Sequence, residues 1–111
     1  FQKTLEEFGG DRQLLFSVID EYIANVRQQI SQIAEAIKDQ NSETVWREAH
    51  SIKGGALNLA AEAMAEIAFE LEKEGKLGNL VKSSELLSRM ADELVRLETY
   101  IGYQRQGGAG S

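Results

Sequence analysis

The sequence predicts an all-α fold, an antiparallel up-down-up-down four-helix bundle with residues 1–8 as a candidate short extra N-terminal helix. The 111-residue chain contains no proline, the residue that most often ends or kinks a helix, and it is rich in strong helix formers. Apolar residues recur at steps of three and four, which is the spacing of amphipathic helices. No alternating run of β-branched residues bounded by turn pairs indicates a strand.

The first long helix is predicted over about residues 11–39. Gly9 and Gly10 interrupt the chain, and the carboxylate of Asp11 can accept from the unpaired backbone N–H groups of a first helical turn. The apolar positions that follow at helical spacing are Leu15, Val18, Tyr22, Val26, Ile30, Ile33 and Ile37. These positions predict one amphipathic helix with a single core-facing stripe.

Two shorter helices are predicted in the middle of the chain. The first follows a polar turn, has Ser42 as its N-cap and breaks near residues 58–60. The next spans about residues 61–74, with Gly75 as its C-terminal stop. The core-facing positions of this pair are Val45, Ala49, Ile52, Ala56 and Leu59, then Met64, Ala65, Ala68 and Leu71.

The last long helix is predicted over about residues 79–101, opening at Gly78-Asn79. Its apolar positions are Leu80, Leu87, Met90, Leu94, Leu97 and Ile101. We therefore predict one bundle domain over residues 1–103, followed by a flexible Gly-rich tail over residues 104–111.

Composition excludes several functional classes. The chain has no cysteine, which rules out a disulfide scaffold, a thiolate zinc site and a cysteine nucleophile. A formal net charge of −6, from 12 Lys and Arg against 18 Asp and Glu, argues against nucleic acid or an anionic membrane as the main partner. No apolar run approaches the roughly 20 residues that span a bilayer. The chain opens at Phe1 without a signal peptide, and we expect it to be part of a longer, cytoplasmic protein.

The only histidine, His50, lies on the second of the four predicted bundle helices. At about 100° per residue, the apolar positions of that helix share one face, and His50 falls on the opposite face. The residues near it on that face are Glu43, Trp46, Lys53, Gly54 and Leu57. The imidazole is therefore predicted to point away from the bundle core.

His50 by itself is open to several readings. A lone histidine is most often a surface residue without a role or a partly buried, hydrogen-bonded one. One histidine among scattered carboxylates matches no metal-ligand spacing, so no metal site is predicted. Lys53 at i+3 and Arg47 at i−3 place positive charge beside the ring in an acidic protein. That placement favours an anion such as a phosphoryl group.

Gly54 and Trp46 stand out on the same face. Glycine inside a helix costs roughly 1 kcal/mol relative to alanine. Two explanations of Gly54 stay open: the close approach of a partner, and a helix kink or helix–helix contact. The packing role suits Gly55 better, because Gly55 is on the buried side of the helix. Trp46 and Leu57 are apolar residues beside the histidine and are candidates for partner binding, together with Arg47 and Gly54. Trp46 could equally fold into a groove between helices.

The segment Ala49–Ala56, AHSIKGGA, resembles the signature of histidine-containing phosphotransfer (HPt) domains, whose pattern is His-x-hydrophobic-Lys-Gly. The segments 6–11 and 58–72 also resemble the family, and the likeness covers about residues 5–101. One departure is Ala60, where the family commonly carries glycine.

The resemblance implies a role for four residues. His50 looks like the phosphoaccepting histidine, modified on Nε2, and Lys53 looks like the charge partner of the phosphoryl group. Gly54 looks like the small residue that leaves room for the partner. Glu72 looks like the residue that orients the imidazole through Nδ1, although the residues alone favour a solvated surface carboxylate at this position.

The function implied is that of a phosphorelay carrier between receiver-domain aspartates, with response-regulator receivers as partners and a histidine kinase as a parent protein. By resemblance Mg²⁺ belongs to the receiver, and we expect no cofactor or metal on this domain. No nucleotide-binding motif is present, so no autokinase activity is expected, and exposure of His50 favours a monomer. Two alternatives stay open: the phosphoacceptor domain of a chemotaxis-type histidine kinase, and a plain helical scaffold domain with an incidental histidine.

Overall fold

A computed structural model describes residues 1–107, which form five helices and no strand. The helices are α1 (Gln2–Glu7), α2 (Arg12–Lys38), α3 (Ser42–Asn58), α4 (Glu62–Leu77) and α5 (Ser83–Arg105). The four long helices form an antiparallel bundle in which each packs against the next and α5 returns to α2. The predicted all-α bundle is confirmed. The short leading helix is α1, and the Phe1 ring before it stacks on Phe16 of α2 with 5.6 Å between ring centroids.

The core lies along the bundle axis and is almost entirely apolar. Its largest fully buried side chains are Leu15, Val26, Ile33, Val45, Ile52, Leu71, Ser83 and Met90. Within α2 the buried stripe includes Ile19 and Ile23, whereas Val18 and Tyr22, which we predicted to face inward, are half-buried. The prediction therefore put the centre of the core-facing stripe slightly to one side of its position in the structure. A broad apolar face does not show which of its residues lie deepest in the core.

Two helix starts are fixed by side-chain caps. The Asp11 carboxylate accepts from Leu14 N at 3.0 Å, which agrees with the predicted cap of α2. At α3 the cap is Asn41, whose side chain accepts from Thr44 N at 3.1 Å, and Ser42 is the first helical residue. The predicted Ser42 cap is thus wrong by one position. Asn41 serves equally well because its side-chain oxygen is also a good N-cap acceptor.

The connection between α4 and α5 differs most from the prediction. Gly75 lies inside α4 and is buried, so it is not the helix stop. The stop is Gly78, whose φ of 70° is the left-handed conformation common just after a helix. The last helix begins at Ser83 rather than near residue 79. Glu74 fixes this start, because its carboxylate accepts from Lys82 N at 3.2 Å and from Ser83 Oγ at 3.0 Å.

The end of α5 extends beyond the domain limit predicted from the sequence. Its helix continues to Arg105, which forms an ion pair with Asp20 of α2 at 2.7 Å. The carbonyl oxygen of Gln104 accepts from Arg12 at 2.8 Å. The start of the predicted tail therefore belongs to the bundle, and residues 108–111 lie outside the described residues. Within the described part of the chain, no helix combines the length and the apolar character needed to cross a bilayer.

Ala60, in the turn between α3 and α4, adopts a left-handed conformation with φ of 57°. This conformation strains any residue with a Cβ, whereas glycine adopts it without strain. We expect Ala60→Gly to raise the free energy of unfolding by about 0.5–1 kcal/mol, as measured by chemical denaturation. Ala24→Gly, on the exposed side of α2, is the matched control and should lower it by about 1 kcal/mol. Equal losses at both positions would contradict the strain assigned to Ala60.

Candidate functional site

His50 projects from the solvent side of α3, opposite the buried residues of that helix. Its side chain is 62% exposed. The core-facing residues of α3 are Val45, Ala49, Ile52 and Ala56, and all four are buried. The structure therefore places the imidazole on the outer face that the helical angle predicted.

The neighbour of His50 on α4 is Glu72, a carboxylate whose residue is only 3% exposed. Its Oε2 lies 2.7 Å from Nδ1 of His50, and its Oε1 accepts from Nζ of Lys53 at 2.6 Å. Nζ of Lys76 lies 3.3 Å from the same Oε2. The residues alone favoured a solvated surface carboxylate at position 72, and this prediction is wrong, because α4 packs the side chain against α3.

The charge of Glu72 fixes the expected tautomer of His50. Burial raises the pKa of this carboxyl group, but hydrogen bonds from Lys53, His50 and Lys76 outweigh it and lower the pKa from 4.5 to about 2. Glu72 is therefore ionised at neutral pH and can only accept hydrogen bonds. We infer that Nδ1 of His50 carries the proton, so Nε2 of the neutral ring keeps its lone pair for reaction.

Gly75 allows α4 to approach α3 closely enough for this contact. A Cβ built on Gly75 would lie 2.6 Å from Cβ of Trp46, 2.7 Å from Trp46 N and 2.9 Å from Ser42 O. These distances are too short for any side chain, and two of the three atoms are backbone. Gly75 thus sets the spacing of the two helices one turn from Glu72. From the sequence, Gly75 was predicted to end this helix, because a glycine near a helix end fits either role.

The two glycines after Lys53 have different surroundings. A Cβ on Gly55 would collide with the ring of Tyr22 in α2, so Gly55 is a helix–helix contact. A Cβ on Gly54 would have nothing within 4 Å, and Gly54 is exposed. Internal packing therefore explains Gly55 and leaves Gly54 open to solvent beside the imidazole.

Two aromatic rings lie against the two lysines that are bound to Glu72. Nζ of Lys76 lies 5.3 Å from the ring centroid of Trp46, which is half-buried against Gly75. Phe69 of α4 is 47% exposed and carries Lys53 and Lys73 over its ring at 5.3 and 4.8 Å. Phe69 was missed from the sequence, although its position three residues before Glu72 would have placed it near the site.

The remaining predicted partner-binding residues lie on the exposed surface of α3. Arg47 is bound to Glu43 at 2.6 Å, with its guanidinium 5.7 Å from the Trp46 ring centroid. Leu57 is 61% exposed, a high value for a large apolar side chain. Within residues 1–107, no group of three or more carboxylates and histidines is placed to hold a metal ion. The site is thus an exposed imidazole with nearby cations and apolar side chains.

The comparisons with known proteins agree with this geometry. The sequence matches the Hpt domain family over residues 17–100. The fold is similar to the crystal structure of histidine-containing phosphotransfer protein B (HptB) from Pseudomonas aeruginosa PAO1, with a TM-score of 0.85 and 20% identity over 96% of this chain and 93% of that chain. No curated protein matches the sequence significantly. The family match covers most of the chain, and the protein therefore belongs to the Hpt domain family, the histidine phosphotransfer carriers of two-component phosphorelays.

Proposed function

We propose that His50 accepts a phosphoryl group on Nε2 from the aspartyl phosphate of one receiver domain and passes it to the aspartate of another. One observation carries the proposal: the only imidazole of the chain faces solvent with its Nδ1 bound to an ionised, buried carboxylate. A histidine phosphotransfer carrier needs a histidine that a partner can reach, and His50 meets that need.

The transfer step forms one bond and breaks another. The Nε2 lone pair attacks phosphorus, an N–P bond forms, and the P–O bond to the receiver's aspartate breaks to release a carboxylate. With Nδ1 still protonated, the ring then carries positive charge. Glu72, 2.7 Å from Nδ1, stabilises that charge. The onward transfer runs through the same step in reverse.

Lys53 supplies charge stabilisation for the phosphoryl group in this proposal. Its ammonium is bonded to Glu72 at 2.6 Å, one helical turn from His50. The flexible four-carbon side chain of lysine allows the ammonium to turn toward an anion on the imidazole. Transfer of a phosphoryl group depends chiefly on such positioning and charge neutralisation.

The receiver would dock on the surface of α3 and α4 formed by Trp46, Arg47, Gly54, Leu57 and Phe69. Leu57 and Phe69 supply exposed apolar area, and Gly54 leaves space above the helix. The Mg²⁺ that phosphoryl transfer requires would be bound by the receiver. We also propose that the chain acts as a monomer without autokinase activity. A cytoplasmic location and a histidine kinase as parent protein stay predictions.

A panel of receiver domains tests the proposed function. Each receiver, labelled with radioactive phosphate on its aspartate, is mixed with the chain, and an unlabelled second receiver is added afterwards. We expect the chain to take up label that is lost in acid and retained in base, and then to pass it on. A kinase core supplied with labelled ATP serves as a further donor, and uptake from this donor alone would favour the chemotaxis-type alternative. If no donor transferred label to the chain, only the scaffold alternative would remain.

Gly54 tests the docking surface. Gly54→Leu is expected to weaken receiver binding about tenfold or more, because the new side chain occupies the space that the partner approaches. Titration calorimetry measures the affinity. Gly54→Ala is the control for folding, and it should raise the free energy of unfolding by up to about 1 kcal/mol. Unchanged affinity for Gly54→Leu would show that the partner does not approach this part of α3.

A further inference from the structure

Lys76 is a third partner of Glu72 to which neither the sequence pattern nor the proposed reaction gives a role. It lies one turn after Glu72 on α4, and its Nζ is 3.3 Å from the oxygen that also contacts His50. The ring of Trp46 lies beneath the same ammonium, 5.3 Å from centroid to Nζ. Lys76 is thus held by a carboxylate and an aromatic face although its side chain is 56% exposed.

In the proposed function the Lys53 ammonium is needed in two places, at Glu72 and at the phosphoryl group, and it cannot neutralise both at once. In the structure its ammonium neutralises Glu72, and during transfer it must neutralise the phosphoryl group. The Glu72 side chain is 4% exposed, so water cannot easily replace the lysine. A buried carboxylate that loses its cation is strongly disfavoured. The imidazole gains its positive charge only as the N–P bond forms, so while the phosphoryl group approaches, Glu72 without a second cation would hold Lys53 back from it.

We propose that Lys76 is a positioning residue that keeps Glu72 ionised while Lys53 leaves it for the phosphoryl group on His50. The inference rests on the proposed function and deepens it. Lys76 itself does not touch the reacting atoms. It acts through Glu72, which continues to hold Nδ1 of His50 in the reactive tautomer.

The other cations near the site do not have this geometry. Lys73, on the same helix, is bound to Glu70 at 3.4 Å and lies over Phe69. Arg47 is bound to Glu43. Among the described residues, the side chains bonded to Glu72 are those of His50, Lys53 and Lys76. Lys76 is therefore the cation that stays on Glu72 when Lys53 moves.

The experiment compares Lys76→Met with Lys73→Met, which removes the same charge from the same helix without touching Glu72. The first readout is the rate of phosphoryl transfer from a labelled receiver. The second readout is the pKa of the Glu72 carboxyl group in the unphosphorylated chain. It is obtained by NMR from the pH dependence of the carboxyl carbon's chemical shift. Lys76→Arg serves as the rescue variant, since it restores the cation. Thermal unfolding verifies that all variants keep the fold.

We expect Lys76→Met to slow transfer about threefold relative to Lys73→Met, to raise the pKa of Glu72, and to be rescued by arginine. Equal transfer rates for the two methionine variants would overturn the inference while leaving the proposed function intact, since the label would still reach His50. If the unmutated chain takes up no label, the proposed function fails and the inference is overturned with it.

Discussion

Replacing His50 with glutamine is expected to abolish phosphoryl uptake completely. Glutamine keeps a polar side chain that can donate to Glu72, but it has no nucleophilic nitrogen. Because the chain has one histidine, no second imidazole can take over. The measurement is labelled-receiver transfer, with the label on the chain quantified after gel separation.

The fold should survive this substitution, which makes the loss of label informative. The His50 side chain is 62% exposed and lies outside the core, so the midpoint of thermal unfolding should move by only a few degrees. Affinity for the receiver should persist, because the docking surface is unchanged. Label on the glutamine variant would place the phosphoacceptor elsewhere and remove the assignment to His50.

Gly75→Ala should have the largest effect on stability among single-methyl additions at the site. The added Cβ would meet Cβ and N of Trp46 and the carbonyl oxygen of Ser42 at 2.6–2.9 Å, and the backbone of α3 cannot turn away as a side chain could. Overpacking of this kind costs about 1–3 kcal/mol, and we expect the upper end of that range in chemical denaturation. Phosphoryl transfer should slow as well, because separating α3 from α4 draws Glu72 away from His50.

Gly102→Ala is the matched control for this prediction. Gly102 lies within α5, and a Cβ there would have nothing within 4 Å. Alanine at this position should stabilise the protein by up to about 1 kcal/mol through helix propensity alone. If Gly75→Ala were also stabilising, the close approach of α3 and α4 at Gly75 would not determine their spacing.

The fold class could be predicted because helical periodicity persists through every long segment of the chain. Helix ends were less predictable, since they depend on single side chains. The start of α5 is fixed by Glu74, a residue of the preceding helix, and no local pattern around residue 79 reports that contact. Gly75 was misread for the same reason: its role depends on Trp46, which is distant in sequence.

The site was predictable to the extent that it is local in sequence. The outward direction of His50 and the nearness of Lys53 follow from helical angles within α3. Glu72 lies on another helix, 22 residues from His50, so its contact depends on how α3 and α4 pack. Only the family resemblance indicated it. Lys76 and Phe69 depend on that packing too and lay outside the prediction.

The position of His50 on an unbroken helix has a consequence for the lifetime of the phosphorylated chain. Among residues 1–107, the side chain bonded to the imidazole belongs to α4 and the ring itself lies on α3, so neither comes from a loop that could close over a phosphorylated ring. In the proposed function, the docked receiver would then be what shields the phosphorylated ring from water. In the absence of a receiver, the phosphoryl group on His50 would be hydrolysed at a rate set by bulk water and the surrounding charges.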